Sequence, residues 1–261
     1  MSGTHLVVFA RAPIVGTVKT RLFRDPGAAL EAGIREVSAE EATALHVAFL
    51  EDVCQKGVRS GLSPRRLYIS GDPRHAAFQQ AVQRHGFTLR EQSGGDLGSR
   101  MDAAIAGELL EGAGAVVLIG TDSPTLPAAF LQQAARWLDS GDADVVLGPA
   151  LDGGFYLIGA RRQCPELLSD KSRGGISWST NNVLAESLER LHRLQANGWR
   201  VRLLPFWYDV DTPHDLRLLS SHLQIAHGAT AGTELLTSIW APRTWALLNE
   251  FGFAAVLDSK S

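Results

Sequence analysis

The chain lacks the marks of several protein classes, and each gap narrows its function. Of 261 residues only Cys54 and Cys164 are cysteines, far apart and without the spacing of a metal knuckle or a disulfide framework. Cys54 sits in a helical pattern and reads as a buried free thiol, which suits a reducing cytoplasm. No apolar run approaches the roughly 18 residues of a membrane-spanning helix. No basic segment precedes the first apolar run, which Arg11 interrupts, so a signal peptide is not expected. A net charge of −3 gives no general attraction to nucleic acid or to an anionic membrane. A polyanionic ligand must therefore be held by a local basic cluster. Neither the Walker G-x-x-x-x-G-K-[ST] spacing nor the G-x-G-x-x-G dinucleotide fingerprint is present. Repeats, low-complexity tracts and an obvious linker are missing too.

What is present is an ordinary globular composition, 45% hydrophobic and 20% charged, with strand patterns alternating with helical ones. That alternation predicts an α/β fold with a mainly parallel sheet. The central stretch is Val116-Val117-Leu118-Ile119-Gly120-Thr121-Asp122-Ser123-Pro124. It reads as a buried strand that runs into a carboxylate and is then stopped by proline. Ligands of open α/β sheets bind at the carboxyl ends of strands, so Asp122 is a site candidate rather than a simple helix cap.

An earlier strand, His5–Ala10, feeds a loop containing Arg11, Pro13, Gly16, Lys19 and Arg21. A glycine-bearing loop with clustered cations after a strand suits a phosphate chain. Ser38-Ala39-Glu40-Glu41 is a capping box that opens a helix expected to end near Gly57, with Leu45, Phe49 and Val53 on its apolar face. His46 on that helix reads as a surface or satisfied histidine. Further helices are expected over 76–84, stopped by Gly86, and over 127–138, stopped by Gly141. The run Gly94-Gly95-Asp96-Leu97-Gly98-Ser99-Arg100 lets backbone approach a ligand closely, with Arg100 in the first turns of a helix. Asp152-Gly153-Gly154 is either a hairpin turn or a clearing for substrate. Ser179 or Thr180 is the expected N-cap of a helix from Val183, with Trp178 as a hydrophobic staple or a wall of the site. Asp209-Val210-Asp211-Thr212-Pro213 sets two carboxylates before a helix start, and hard divalent cations take such oxygen ligands.

In this order these motifs resemble the DUF2064 group, relatives of nucleotide-diphospho-sugar transferases with a GT-A fold. Some members are known as glycosyltransferases of arsenosugar biosynthesis or as transferases of radical-SAM and selenium-linked clusters. The resemblance spans Leu6 to Leu219. It implies a transferase domain over 1–219, with residues 220–261 forming a C-terminal helical extension packed on it. It implies a Rossmann-like, mostly parallel sheet flanked by helices, a cytoplasmic enzyme, and a bound Mg²⁺ or Mn²⁺ bridging nucleotide phosphates.

Residue by residue, Asp122 stands at the metal-binding aspartate of the GT-A pattern. The usual second aspartate is replaced by Ser123-Pro124. Sugar nucleotidyltransferases share that departure and complete the metal site from a distant segment, here Asp209 and Asp211, of which Asp211 is preferred. Lys19 and Arg21 are assigned with Asp122 to catalysis. The nucleotide falls to Ala10, Arg11, Pro13, Gly16, Lys19, Arg21, Gly95, Asp96 and Arg100. Asp152, Gly153, Gly154, Trp178 and Ser179 are left for the sugar or acceptor. Two enzymatic readings stay open. One moves a sugar from a nucleoside diphosphate-sugar to a small acceptor. The other moves a nucleotidyl group from a nucleoside triphosphate to a phosphorylated small molecule, releasing pyrophosphate. A third, a non-catalytic nucleotide binder, sits poorly with retention of both acidic and both basic elements.

Overall fold

The computed structural model describes residues 3–172, 175–228 and 238–253. Gly174, which opens the glycine pair before Trp178, lies outside them, as does much of the expected extension over 220–261. Seven strands form one sheet: β1 (Thr4–Arg11), β2 (Arg65–Ser70), β3 (Thr88–Glu91), β4 (Ala115–Ile119), β5 (Val145–Pro149), β6 (Phe155–Ala160) and β7 (Val201–Leu203). Their spatial order is β3-β2-β1-β4-β6-β5-β7. All neighbours are parallel except β6, which runs antiparallel to both β4 and β5. The central strands are apolar on both faces because helices cover both, so β4 reads as a continuous apolar run and every residue in it is buried.

On one face, Leu6, Val8 and Val117 meet α2 (Ala39–Arg59), α3 (Ala76–His85) and α5 (Ala128–Asp139). On the other, Val7, Val116 and Ile158 meet α4 (Leu97–Leu110), α6 (Pro165–Leu168) and α7 (Val183–Ala196). A third cluster joins α1 (Pro26–Ala32) and α2 to α8 (Pro213–Gly228) and α9 (Pro242–Glu250), through Phe49, Leu219 and Leu248.

Local chemistry explains the start of α2 and the end of α3. The Ser38 hydroxyl accepts from Glu41 N at 3.1 Å, and Ser38 N donates to the Glu41 carboxylate at 2.9 Å, closing the capping box. Gly86 takes the left-handed conformation that ends α3. Gly57 does not end α2, which continues to Arg59. A Cβ there would lie 2.8 Å from Leu6 Cδ2 and 3.1 Å from Phe87 Cζ, so this glycine serves close packing of helix on sheet. The expected cap at Ser179 or Thr180 is also corrected: the residue before α7 is Asn182, with no side-chain cap. The Thr180 hydroxyl bridges Ser177 O and Asn182 N within a turn, and Leu184 N donates to Gly153 O at 2.7 Å. The hairpin backbone thus satisfies an amide of the first turn of α7.

Candidate active site

A cleft of about 750 Å³ opens at the carboxyl ends of the parallel strands. The loop after β1 forms one wall and the loop after β4 the floor. The hairpin between β5 and β6 forms the opposite wall, and the segment before α8 closes the back. Of the residues singled out from sequence, Ala10, Arg11, Lys19, Arg21, Arg100, Asp122, Asp152, Gly154, Trp178, Ser179, Asp209 and Asp211 all line it. Pro13, Gly16, Gly95, Asp96 and Gly153 do not.

The loop after β1 turns at Lys19, a non-glycine residue in the left-handed region (φ 49°, ψ 37°). That conformation is uncommon for a long side chain. It aims the ammonium into the floor, where the side chain is 3% exposed. Lys19 Nζ donates to Asp122 Oδ1 at 2.5 Å, to Asp211 Oδ1 at 2.8 Å and to the Val210 carbonyl at 2.8 Å. Burial alone would push the ammonium down, but Asp122 and Asp211 outweigh it and hold Lys19 above its ordinary value. Burial likewise pushes Asp122 up, and the Lys19 charge outweighs it, keeping the carboxyl below the usual range. The two acidic segments, far apart in the chain, therefore meet at one cation.

Backbone and side chains stitch these segments together. Val210 N donates to Asp122 O at 2.9 Å. The Ser123 hydroxyl donates to Asp209, and Thr125 donates to the Tyr208 hydroxyl at 2.9 Å. Asp209 is thereby turned to Ser123, while Asp211 faces Lys19. Burial, reinforced by the charges of Asp122 and Asp152, pushes Asp209 up to about 7. Asp215, in the first turn of α8, accepts from Asp211 N at 3.1 Å and from Thr212 N at 2.8 Å, which fixes the Asp211 backbone.

Hard oxygen donors decide whether this place suits a divalent metal. Two carboxylates and a backbone carbonyl converge on a single point, filled here by an ammonium that stands in for a cation. Oxygen-only donors of this kind match Mg²⁺ or Mn²⁺ chemistry. Among the described residues no three His, Cys, Asp or Glu side chains converge with metal-ligand geometry. The third oxygen at this point is the Val210 carbonyl.

Away from the acids, Arg100 Nη1 donates to Gln92 Oε1 at 3.0 Å, and Gln92 Nε2 donates to Tyr68 O at 2.9 Å. This holds a guanidinium against the ends of β1 and β2. Asp96 caps α4 through Ser99 N at 2.8 Å and pairs with Lys171 at 2.9 Å, outside the cleft. Lys171 and the cap hold its carboxyl well below the usual range. Asp152-Gly153-Gly154 is a hairpin turn between β5 and β6, and its Asp152 and Gly154 line the cleft. Gly153 has φ 88°, and a Cβ on it would lie 2.4 Å from Asn181 O. Trp178 is a wall rather than a staple: it lines the cleft, crosses Phe155 edge-on at 6.1 Å, and rests on Gly98.

Sequence reasoning missed His46. It is 6% exposed and lines the cleft. Its Nε2 donates to Arg11 O at 3.1 Å, and its Nδ1 has no partner. Burial pushes its pKa down, so the neutral ring presents Nδ1 as a bare acceptor. Helix α2 is buried on nearly every side, which an amphipathic reading of Leu45, Phe49 and Val53 could not reveal. Gln92 was likewise overlooked as a site residue, and no local motif marks it.

Comparison with known proteins places these features in context. The family model described as "Uncharacterized protein conserved in bacteria (DUF2064)" matches residues 53–180. A candidate nucleotide-diphospho-sugar transferase of solved structure from Desulfovibrio desulfuricans G20 is 30% identical, with 97% of each chain covered and a TM-score of 0.75. A nucleotidyl transferase from Methanothermobacter thermautotroptrophicus is 15% identical over 85% of this chain and 98% of its own, with a TM-score of 0.51. CMP:2-keto-3-deoxy-manno-octonic acid synthetase, complexed with CTP, is 16% identical over 87% of this chain and 100% of its own, at 0.50. The last two likenesses concern the fold alone. No curated protein sequence matches the chain.

Proposed function

The chain belongs to the DUF2064 family, and from that premise we propose that it is a nucleotide-using transferase, moving a sugar from a nucleoside diphosphate-sugar to a small acceptor. One observation carries the reading: Asp122 and Asp211, from segments far apart in the chain, converge with the Val210 carbonyl on a single cation at the floor of the cleft. The relative from Desulfovibrio desulfuricans supports the choice of a nucleotide-sugar donor.

In this reading Asp122 and Asp211 hold a Mg²⁺ or Mn²⁺ ion. Such an ion, when bound, neutralises phosphate charge and stabilises a departing diphosphate. The protein's own groups do the rest. Arg11, Lys19 and Arg21 line the wall where the phosphates lie and offset charge developing on the leaving group. Arg100, steadied by Gln92, faces the nucleoside. Asp152, Gly154, Trp178 and Ser179 bound the space left for sugar and acceptor. Asp209, turned to Ser123, locks the floor loop in register. Trp178 and Phe155 cover one side and limit water at the reacting bond.

The cluster of cations on the first loop favours a second reading, nucleotidyl transfer from a nucleoside triphosphate to a phosphorylated small molecule, because a triphosphate brings more charge to that wall. Calorimetry with nucleoside triphosphates and nucleotide-sugars, with and without Mg²⁺, followed by product analysis, tests both. Release of nucleoside diphosphate supports glycosyl transfer, and release of pyrophosphate supports nucleotidyl transfer. If neither ligand class binds, the transferase reading fails. Among the described residues no helix is long and apolar enough to cross a membrane.

A further inference from the structure

Lys19 is unusual for a residue read as a phosphate ligand, because its ammonium faces away from the open cleft and into the acids. Its side chain is 3% exposed, whereas those of Asp122 and Asp211 are 45% and 35% exposed. The Phe49 ring lies 5.5 Å behind the ammonium, and Val210 N bonded to Asp122 O braces the acids. The three oxygens are thus held around the ammonium while the carboxylates stay open to solvent. Two carboxylates and one ammonium leave a single net negative charge at this point. An ammonium and a divalent ion cannot share the same three oxygens, since like charges so close repel strongly in a partly buried site.

We propose that Lys19 is the resident cation among the Asp122, Val210 and Asp211 oxygens, displaced into the cleft when a divalent ion takes them. Cation entry and presentation of Lys19 to the substrate's phosphates are then a single exchange. This rests on the metal reading above and extends it. Entry of the ion neutralises both carboxylates, which no longer hold the ammonium. The freed side chain, on a loop that already lines the cleft beside Arg21, is left with a positive charge and no acid partner. A phosphate chain supplies that partner. The ion and the phosphates therefore favour each other's binding through Lys19, as reciprocal linkage requires.

The test uses Mn²⁺ alone, with free ion read by electron paramagnetic resonance, and circular dichroism to verify each fold. Wild type should bind Mn²⁺ weakly, and Lys19→Met about tenfold or more tightly, within the usual range of coupling between sites. Lys19→Met combined with Asp211→Asn should lose that gain. A second measurement needs no variant. Reductive methylation of wild type, followed by peptide mass spectrometry, should find Lys19 protected and the exposed Lys171 labelled. Adding Mg²⁺ should raise labelling at Lys19 several-fold relative to Lys171. If Lys19→Met binds Mn²⁺ no more tightly than a wild type that does bind it, or if Mg²⁺ leaves Lys19 labelling unchanged, the exchange is overturned while the metal reading stands. If neither protein binds Mn²⁺, the metal reading falls and the exchange with it.

Discussion

Adding one methyl group at Gly98 tests the packing that sets the cleft wall. A Cβ there would lie 2.1 Å from the Leu168 carbonyl oxygen and 2.5 Å from Trp178 Cζ2. One neighbour is backbone and cannot rotate away, so accommodation requires α6 or Trp178 to move. Overpacking of this kind costs about 1–3 kcal/mol, and the rigid carbonyl favours the upper part of that range. Against it stands helix propensity, since Gly98 lies within α4 without a positive φ, and alanine recovers about 1 kcal/mol there. The net loss is about 1–2 kcal/mol, or about 2–8 °C in melting temperature for a chain of this size. Gly107 in the same helix is the control. Its Cβ would meet only the Tyr68 hydroxyl, at an ordinary 3.8 Å, so Gly107→Ala keeps the propensity gain and should stabilise by up to about 1 kcal/mol. Thermal unfolding of the two variants side by side is the assay, with near-ultraviolet circular dichroism following the displaced indole. Equal shifts, or a Gly98→Ala protein at least as stable as wild type, would refute the packing argument.

Two further predictions concern groups behind the floor. Lys56 is buried and donates to Ser238 O; burial pushes it down to about 7, below its ordinary 10.5. Between those values the unfolded chain binds the extra proton, so Lys56 makes stability rise with pH, by up to about 1.4 kcal/mol per unit. Above about pH 9 the buried thiols of Cys54 and Cys164, pushed up by burial, act in the opposite sense. Urea titrations from pH 7 to 9 should therefore show wild type gaining on Lys56→Met, and a constant difference would contradict the assignment. Tyr208 joins Thr125 to His222, accepting from the first and donating to Nδ1 of the second at 2.8 Å. Tyr208→Phe leaves both groups without this partner and should cost about 1–3 kcal/mol in thermal unfolding; a loss near zero would mean that water replaces the hydroxyl.

The parts of this fold that sequence reveals are those with a local signature. Val116–Ile119 announces a buried strand because every residue in it is apolar, and the Asp122 that follows must then lie at the carboxyl edge. Ser38 and Glu41 mark a helix start through a two-residue reciprocal bond. Gly57 marks the end of α2 only approximately, because its reason is the Leu6 and Phe87 side chains that pack against it on the sheet face covered by α2. Trp178 could be a staple or a wall until Gly98 and Phe155 are seen beside it. His46 and Gln92 join the cleft only through tertiary placement, and the Val210 carbonyl has no side-chain signature. Convergence of Asp122 and Asp211 could be expected from the family pattern, whereas the burial of Lys19 between them could not.

Titration calorimetry of Asp122→Asn bears most directly on the central claim. The substitution preserves side-chain shape while removing one of the two carboxylate charges that meet at the floor. The account predicts a folded protein that has lost Mg²⁺-dependent binding of nucleotide or nucleotide-sugar, and with it turnover. An Asp122→Asn protein that binds these ligands with Mg²⁺ as tightly as wild type would contradict it.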